Sequence, residues 1–158
     1  MTRILGIALC VAGAGAPALA TLSCMNTQGD GSIRRAINAA EAPPPAGGYA
    51  QAVEVSGVRR ILHVSGQIPV DGDGRVPADF ASQCRLVWRH IEAQLRAADM
   101  SLDHLVKVTT YLSSRRHAEE NSAIRREVLG ARAPALTVII ADIYDEAWLL
   151  EIDAVAAD

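Results

Sequence analysis

The chain of 158 residues is long enough to form one domain with a substantial hydrophobic core. Half of its residues are hydrophobic, its formal net charge is −3, and only 4% of its residues are aromatic. This composition argues against a nucleic-acid-binding protein that relies on a basic surface or on stacking bases against aromatic side chains.

The first 24 residues differ in composition from the rest of the chain. Arg3 is the only charged residue before Asp30, residues 4–11 are apolar, and Ala18-Leu19-Ala20 is typical of a signal-peptide cleavage site. Two interpretations stay open. Cleavage near Ala20 would give an exported or periplasmic protein, whereas a start of translation at Met25 would give a cytoplasmic one.

Residues 25–48 form a polar and then proline-rich stretch, with three consecutive prolines at 43–45 and two glycines at 47–48. Such a composition is typical of a leader or linker that is extended near its prolines. The sequence therefore predicts that the compact domain occupies residues 49–158.

The first half of this domain predicts two strands and a turn. Residues 50–55 and 61–68 are short β-type runs, and they predict a hairpin. Residues 71–74 (Asp-Gly-Asp-Gly) resemble the start of a calcium loop, but Ser82 stands where the bidentate glutamate should be, so they predict a turn. The four histidines lack the spacing of metal ligands, so the sequence predicts no metal site.

The second half of the domain alternates between helical and extended patterns. Apolar residues recur at helical spacing over residues 79–98 and again over 117–129, where Gly130 is expected to end the second helix. Residues 105–112, 135–141 and 147–156 predict strands. The order β-β-α-β-α-β-β predicts an α+β fold whose two helices pack on one face of a sheet.

Two polar residues fall at predicted core positions. Glu151 lies in the last strand, between apolar neighbours, where a carboxylate without a partner is costly. It is therefore the first candidate for a functional residue, and the alternative is an ion pair with Lys107 or with an arginine across a subunit boundary. Asn121 lies on the apolar stripe of the second helix, so we expect it to be hydrogen-bonded there.

Six motifs occur in a fixed order over residues 46–157, at positions 47–52, 64–69, 79–83, 106–112, 121 and 151–156. Together they resemble the Rid family of imine and enamine deaminases. The resemblance implies a chorismate-mutase-like α+β subunit, a homotrimer with clefts between its subunits, and hydrolysis of imines to ammonia and a keto acid. It also implies that neither a metal nor an organic cofactor takes part.

The resemblance implies Glu151 as the catalytic residue and a substrate-binding set of Tyr49, Gly66, Asn121 and Leu136. Three structural alternatives stay open: Tyr49 packs at a subunit interface, the Gly66 backbone makes a tight strand–strand contact, and Asn121 braces a neighbouring loop. The family motif P-A-R-S or P-A-R-T places an arginine for the substrate carboxylate, but here the stretch is Pro134-Ala135-Leu136-Thr137. Leucine offers neither charge nor donor, so the bidentate bond to a carboxylate is lost. We therefore expect a neutral or apolar substrate other than 2-aminoacrylate.

Two classes of function remain open after the sequence alone. The first is a cofactor-free deaminase-type hydrolase, and the second is a non-catalytic trimeric protein that binds a small metabolite. Ribonuclease or translation-inhibitor activity, described for some members of the family, is disfavoured by the acidic charge balance. The expected partners are a small ligand and further copies of the chain, without nucleic acid or membrane.

Overall fold

The computed structural model describes residues 33–158. The signal-like segment 1–24 and residues 25–32 of the predicted leader lie outside this range. Within residues 33–158, no helix is both long and apolar enough to cross a membrane.

The described residues form six strands and two α-helices. In chain order they are β1 (Ile33–Ile37), β2 (Ala52–Ser56), β3 (Ile61–Gln67), α1 (Phe80–Ala97), β4 (Leu105–Leu112), α2 (Ala118–Leu129), β5 (Ala135–Ile140) and β6 (Leu150–Ala157). From β2 onward this is the predicted order, and the predicted α+β class is confirmed.

Strand β1 lies inside the stretch that the sequence assigned to a leader. It pairs antiparallel with β2, with Ile33 opposite Ser56. The predicted hairpin of residues 50–55 and 61–68 is therefore wrong, because β2 pairs with β1 and β3 pairs with β6. The backbone N–H groups of Arg59 and Arg60 donate to the Asp158 carbonyl oxygen at 2.6 and 2.9 Å, which ties the start of β3 to the end of β6.

The main sheet has four strands in the order β3-β6-β4-β5. Strand β6 is antiparallel to both β3 and β4, whereas β4 and β5 are parallel. Glu151 pairs with Tyr111 on β4, while Leu136 on β5 pairs with Val108, three residues earlier on β4. The carboxylate strand is therefore central, and the strand that carries Leu136 is at an edge.

The two faces of this sheet have different surroundings. Alternate residues of β4 and β6 are buried in the core beneath the helices: Val108, Thr110, Leu112, Leu150, Ile152 and Ala154. The residues between them, including Tyr111, Glu151 and Asp153, lie on the opposite face, which we call the open face, and keep partial exposure. This is the alternation that the sequence predicts for β6.

Both helices have the ends that the sequence predicts. The Asp79 carboxylate accepts a hydrogen bond from the Ser82 N–H at 2.8 Å and caps α1. Gly130 ends α2 with a positive φ of 58°, which favours glycine. Cys84 of α1 is fully buried, and burial raises the pKa of its thiol to about 12, so it packs as a neutral apolar residue.

Gln83 of α1 fixes the segment that leads into β6. Its side chain is 1% exposed and donates to the carbonyl oxygens of Pro77 and Ala147 at 2.7 and 2.9 Å. Its Oε1 accepts from the Leu149 N–H at 2.8 Å. Because Leu149 directly precedes β6, this one amide helps to set where Glu151 enters the sheet.

Candidate functional site

Glu151 and Gly66 meet on the open face of the sheet. Glu151 lies on β6, is half-buried, and places its carboxylate against the backbone of Gly66 on β3. A Cβ atom at position 66 would lie 1.7 Å from Glu151 Oε1. Only glycine therefore admits the carboxylate here, because the side chain of the proposed catalytic residue closely approaches the Gly66 backbone.

The Glu151 carboxylate has no charged partner within residues 33–158. No ion pair or hydrogen bond of this part of the chain reaches it. The alternative of an ion pair with Lys107 is not borne out in this range, because the Lys107 ammonium donates to Thr137 Oγ1. A half-buried carboxylate without a cation keeps its capacity to accept a proton from another donor.

A tyrosine and a second carboxylate lie beside Glu151. The Tyr111 hydroxyl donates to Asp153 Oδ2 at 3.1 Å. This bond and the charge of Asp153 raise the pKa of Tyr111 above its ordinary value. The phenol therefore stays protonated and neutral, with its hydroxyl proton donated to Asp153.

We call the space around these groups the acidic cleft. It has a volume of about 280 Å³ and is lined by Gly66, Tyr111, Ala141, Asp142, Ile143, Tyr144, Glu151 and Asp153. A half-buried carboxylate in an open cleft is a kind of group that can serve as a general base. The lining contains three carboxylates and no cationic side chain, so it does not suit an anionic group.

Tyr49 and Leu136 meet in a second space, which we call the Tyr49 cleft. It has a volume of about 410 Å³ and is lined by Ala46, Gly47, Tyr49, Gln51, Ser122, Arg125, Arg126, Leu136 and Val138. The Ala50 N–H donates to the Pro134 carbonyl oxygen at 3.1 Å, and this bond holds Tyr49 beside the start of β5. Leu136 packs against the core from the helix-bearing face.

The two clefts lie on opposite faces of the same sheet. Leu136 pairs with Val108 and shares its face, which is covered by the helices, whereas Glu151 is on the open face. The pairing register separates their Cα atoms by two strands and three residues, roughly 14 Å. One chain thus brings Gly66 to Glu151 and Tyr49 to Leu136, but it does not bring these two pairs together.

Asn121 belongs to neither pair. Its side chain is 1% exposed, and neither its oxygen nor its nitrogen has a hydrogen-bond partner within the described range. The hydrogen bond that its position predicts is therefore not formed by this part of the chain. A buried amide without hydrogen bonds lowers the stability of the fold. Asn121 therefore offers one donor group and one acceptor group that no described residue uses.

Sequence reasoning missed Arg125, which lines the Tyr49 cleft and is only 5% exposed. Its position four residues after Asn121 places both side chains on one stripe of α2, and this spacing is the signal that could have revealed it. A charge on an amphipathic helix is usually read as solvent-exposed. Burial of Arg125 depends on packing that local periodicity does not encode.

Comparison with known proteins identifies relatives that match most of the described residues. The family model for endoribonuclease L-PSP matches residues 39–158. A RutC family protein of Pyrococcus horikoshii is 32% identical over 126 residues, which cover 78% of this chain and 98% of the relative. Protein DfrA of Myxococcus xanthus is also 32% identical over 126 residues, covering 78% of this chain and 95% of the relative.

Solved structures share this fold, and two of them illustrate the likeness. A Rid family protein of unknown function from Yersinia pestis superposes with a TM-score of 0.71 at 26% identity, covering 79% of this chain and 98% of that protein. E. coli TdcF, solved with bound serine, superposes with a TM-score of 0.57 at 26% identity, covering 78% of this chain and 98% of that protein.

Proposed function

This chain belongs to the endoribonuclease L-PSP family, which includes the Rid and RutC proteins, and we propose that it hydrolyses a small imine or enamine other than 2-aminoacrylate without a cofactor. In this reaction water adds to the carbon of the C=N bond, the C–N bond then breaks, and ammonia and a carbonyl compound leave. An enamine reaches the same step after it tautomerises to the imine.

The observation that carries this proposal is the Glu151 carboxylate, half-buried against Gly66 and without an ion pair in residues 33–158. Addition of water to a C=N carbon needs a base that takes a proton from the attacking water. The same carboxyl group then returns a proton to the departing nitrogen. A carboxylate committed to a lysine or arginine would be a weaker base, because the ion pair favours its charged form.

We further propose that the site is completed between copies of the chain, in a homotrimer. Each copy supplies Glu151 and Gly66 from its open face to one cleft, and Tyr49 and Leu136 from its helix-bearing face to another. This arrangement is supported by the position of the two clefts on opposite sides of one sheet. Within a single chain, a small molecule that contacts Glu151 and Gly66 could not also contact Tyr49 and Leu136.

Exposed apolar residues at the two edges of the main sheet also favour association. On β5, Val138, Ile139 and Ile140 are 41%, 42% and 39% exposed, and Ile61 on β3 is 56% exposed. Monomeric proteins rarely leave such apolar sheet edges uncovered.

We expect size-exclusion chromatography with light scattering to report three times the mass of the chain. Val138→Glu should shift the protein toward the monomer, because it places a charge in the proposed interface. Val70→Glu is the matched control, since Val70 is a partly buried valine outside the strands. A monomeric wild type would remove the composite cleft and the assignment of roles to both pairs.

We expect the purified protein to release ammonia from imines generated in place by an amino-acid oxidase. Leu136→Arg should raise turnover of 2-aminoacrylate, because it restores a charge-assisted bond to the carboxylate worth about 2 kcal/mol or more, roughly 30-fold. Leu136→Met, which keeps the side chain apolar at similar volume, is the control and should not show this gain. Equal inertness of wild type and Leu136→Arg on neutral and acidic imines would refute the deaminase proposal.

The second candidate function is non-catalytic binding of a small metabolite. It is favoured by Leu136, because the resemblance implies a carboxylate-binding arginine at this position. A ligand that raises the melting temperature without being turned over would support it, since a ligand stabilises the state that it binds. Ribonuclease activity, which the family model's description names, finds less support because the acidic cleft repels phosphates.

A further inference from the structure

We propose that Arg125 of α2 binds the carboxylate of the ligand in the Tyr49 cleft and replaces the arginine that β5 lacks. This inference rests on the proposed function and deepens it, because it names the charge of the substrate. It revises the expectation of a neutral substrate that Leu136 alone suggests.

The first support is the unbalanced charge of Arg125. Its side chain is 5% exposed, and its Nε is buried without a hydrogen-bond partner in residues 33–158. No carboxylate of this part of the chain forms an ion pair with it. A buried guanidinium without an anion is costly, so a structure that keeps one has an anion to bind.

The charges around Arg125 strengthen this point. Burial first, and then the neighbouring charge of Arg126, lower the pKa of Arg125 from its ordinary value. The groups that favour its charged form are the Tyr49 phenol and the Cys84 thiol, and neither of them is a carboxylate. The Tyr49 cleft thus presents two guanidinium groups and no carboxylate in its lining.

The second support is the chemistry of the rest of the cleft. Leu136 and Val138 line it with apolar surface from β5, and Ser122 adds a hydroxyl beside Arg125. The buried Asn121 amide, also without a partner, lies one turn of α2 before Arg125. This lining fits a small molecule with a carboxylate at one end and an apolar side chain at the other, such as a branched 2-imino acid.

The anion would therefore be held from the helix and not from the edge strand. A carboxylate at Arg125 leaves the apolar part of the ligand toward Leu136, where an arginine would otherwise stand. In that pose the leucine contributes contact instead of charge, which disfavours a three-carbon ligand such as 2-aminoacrylate. In this proposal the carboxylate-binding arginine has moved from β5, where Leu136 now stands, to Arg125 of the overlying helix α2.

The test is a calorimetric titration with 4-methyl-2-oxopentanoate and with the corresponding neutral amide. These probes have the same apolar side chain and differ in charge. We expect wild type to bind the acid at least about tenfold more tightly than the amide, and Arg125→Met to bind the two equally. Arg125→Lys should keep part of the preference, because it retains the charge but loses the bidentate geometry.

Arg89→Gln is the matched control, since Arg89 is an exposed arginine of α1, and it should keep the full preference. An equal affinity of wild type for acid and amide would overturn the proposal, and this comparison needs no variant to fold. A preference that survives in Arg125→Met would overturn it as well.

A third outcome is that Arg125 pairs with a carboxylate of a second copy. Arg125→Met would then lower the mass of the assembly in light scattering, and that result would also reject the proposal. The assay measures binding alone, so a protein that binds the acid through Arg125 yet releases no ammonia would refute the proposed hydrolysis and leave the anion site standing.

Discussion

Glu151→Gln is expected to lower kcat for imine hydrolysis by about 10²- to 10⁴-fold, the usual contribution of a positioned general base. Glutamine keeps the size of the side chain and its place beside Gly66, but it cannot take a proton from water. The measurement is the rate of ammonia release at saturating imine, compared with wild type at equal concentration. KM should change little, because the Tyr49 cleft is the proposed site that binds most of the ligand.

The matched control is Glu54→Gln, which removes the same charge from an exposed ion pair with Arg35. Exposed ion pairs contribute little to stability, so rate and fold should both be retained. If Glu151→Gln kept its rate within about threefold of wild type, a role for Glu151 as general base would have to be abandoned.

Gly66→Ala should reproduce the loss of rate without touching the carboxylate chemically. The new methyl group would occupy the place of Glu151 Oε1, so the carboxylate must move. Because the displaced atom is the end of a flexible side chain, the melting temperature should stay close to that of wild type. A large fall in stability would instead indicate that Gly66 serves the packing of β3 against β6.

Gln83→Ala is expected to lower the free energy of unfolding by about 2–4 kcal/mol. The substitution removes three hydrogen bonds at once, to Pro77, Ala147 and Leu149. It also leaves a cavity beside α1, and backbone groups that had a buried partner lose it. Urea denaturation at a fixed protein concentration measures the change.

Gln94→Ala is the comparison for this prediction, because Gln94 is an exposed glutamine of the same helix. It should change stability by less than about 0.5 kcal/mol. A similar small change for Gln83→Ala would show that the segment before β6 is held by other contacts. In that case the position of Glu151 would not depend on this amide.

Much of the local structure could be predicted from the sequence, because both helices and β4 have a strong periodicity. Strand β1 was missed for the opposite reason. It has five residues, four of them exposed, and Arg34 and Arg35 interrupt its apolar pattern. The wrong hairpin has a related cause. The choice of β6 as the partner of β3 depends on contacts far apart in the chain, which local patterns do not encode.

Some residues of the candidate site could be predicted from the sequence and others could not. Glu151 stands out in the sequence because a carboxylate interrupts the apolar residues of a core strand. Arg125 does not, because charged residues are common on helices and its burial depends on the cleft formed with Tyr49 and β5. Placement of Leu136 and Glu151 on opposite faces follows from the register in which β5 and β6 pair with β4, which alternation within one strand does not reveal.

The opposite orientation of the two clefts has a genetic consequence in the proposed trimer. A chain that carries Glu151→Gln still offers an intact Tyr49 side, and a chain damaged at Arg125 still offers an intact carboxylate. Where two such chains are neighbours in one trimer, the intact Tyr49 cleft of the first chain can face the intact Glu151 of the second. Two alleles that are each inactive alone could therefore complement one another within a single cell.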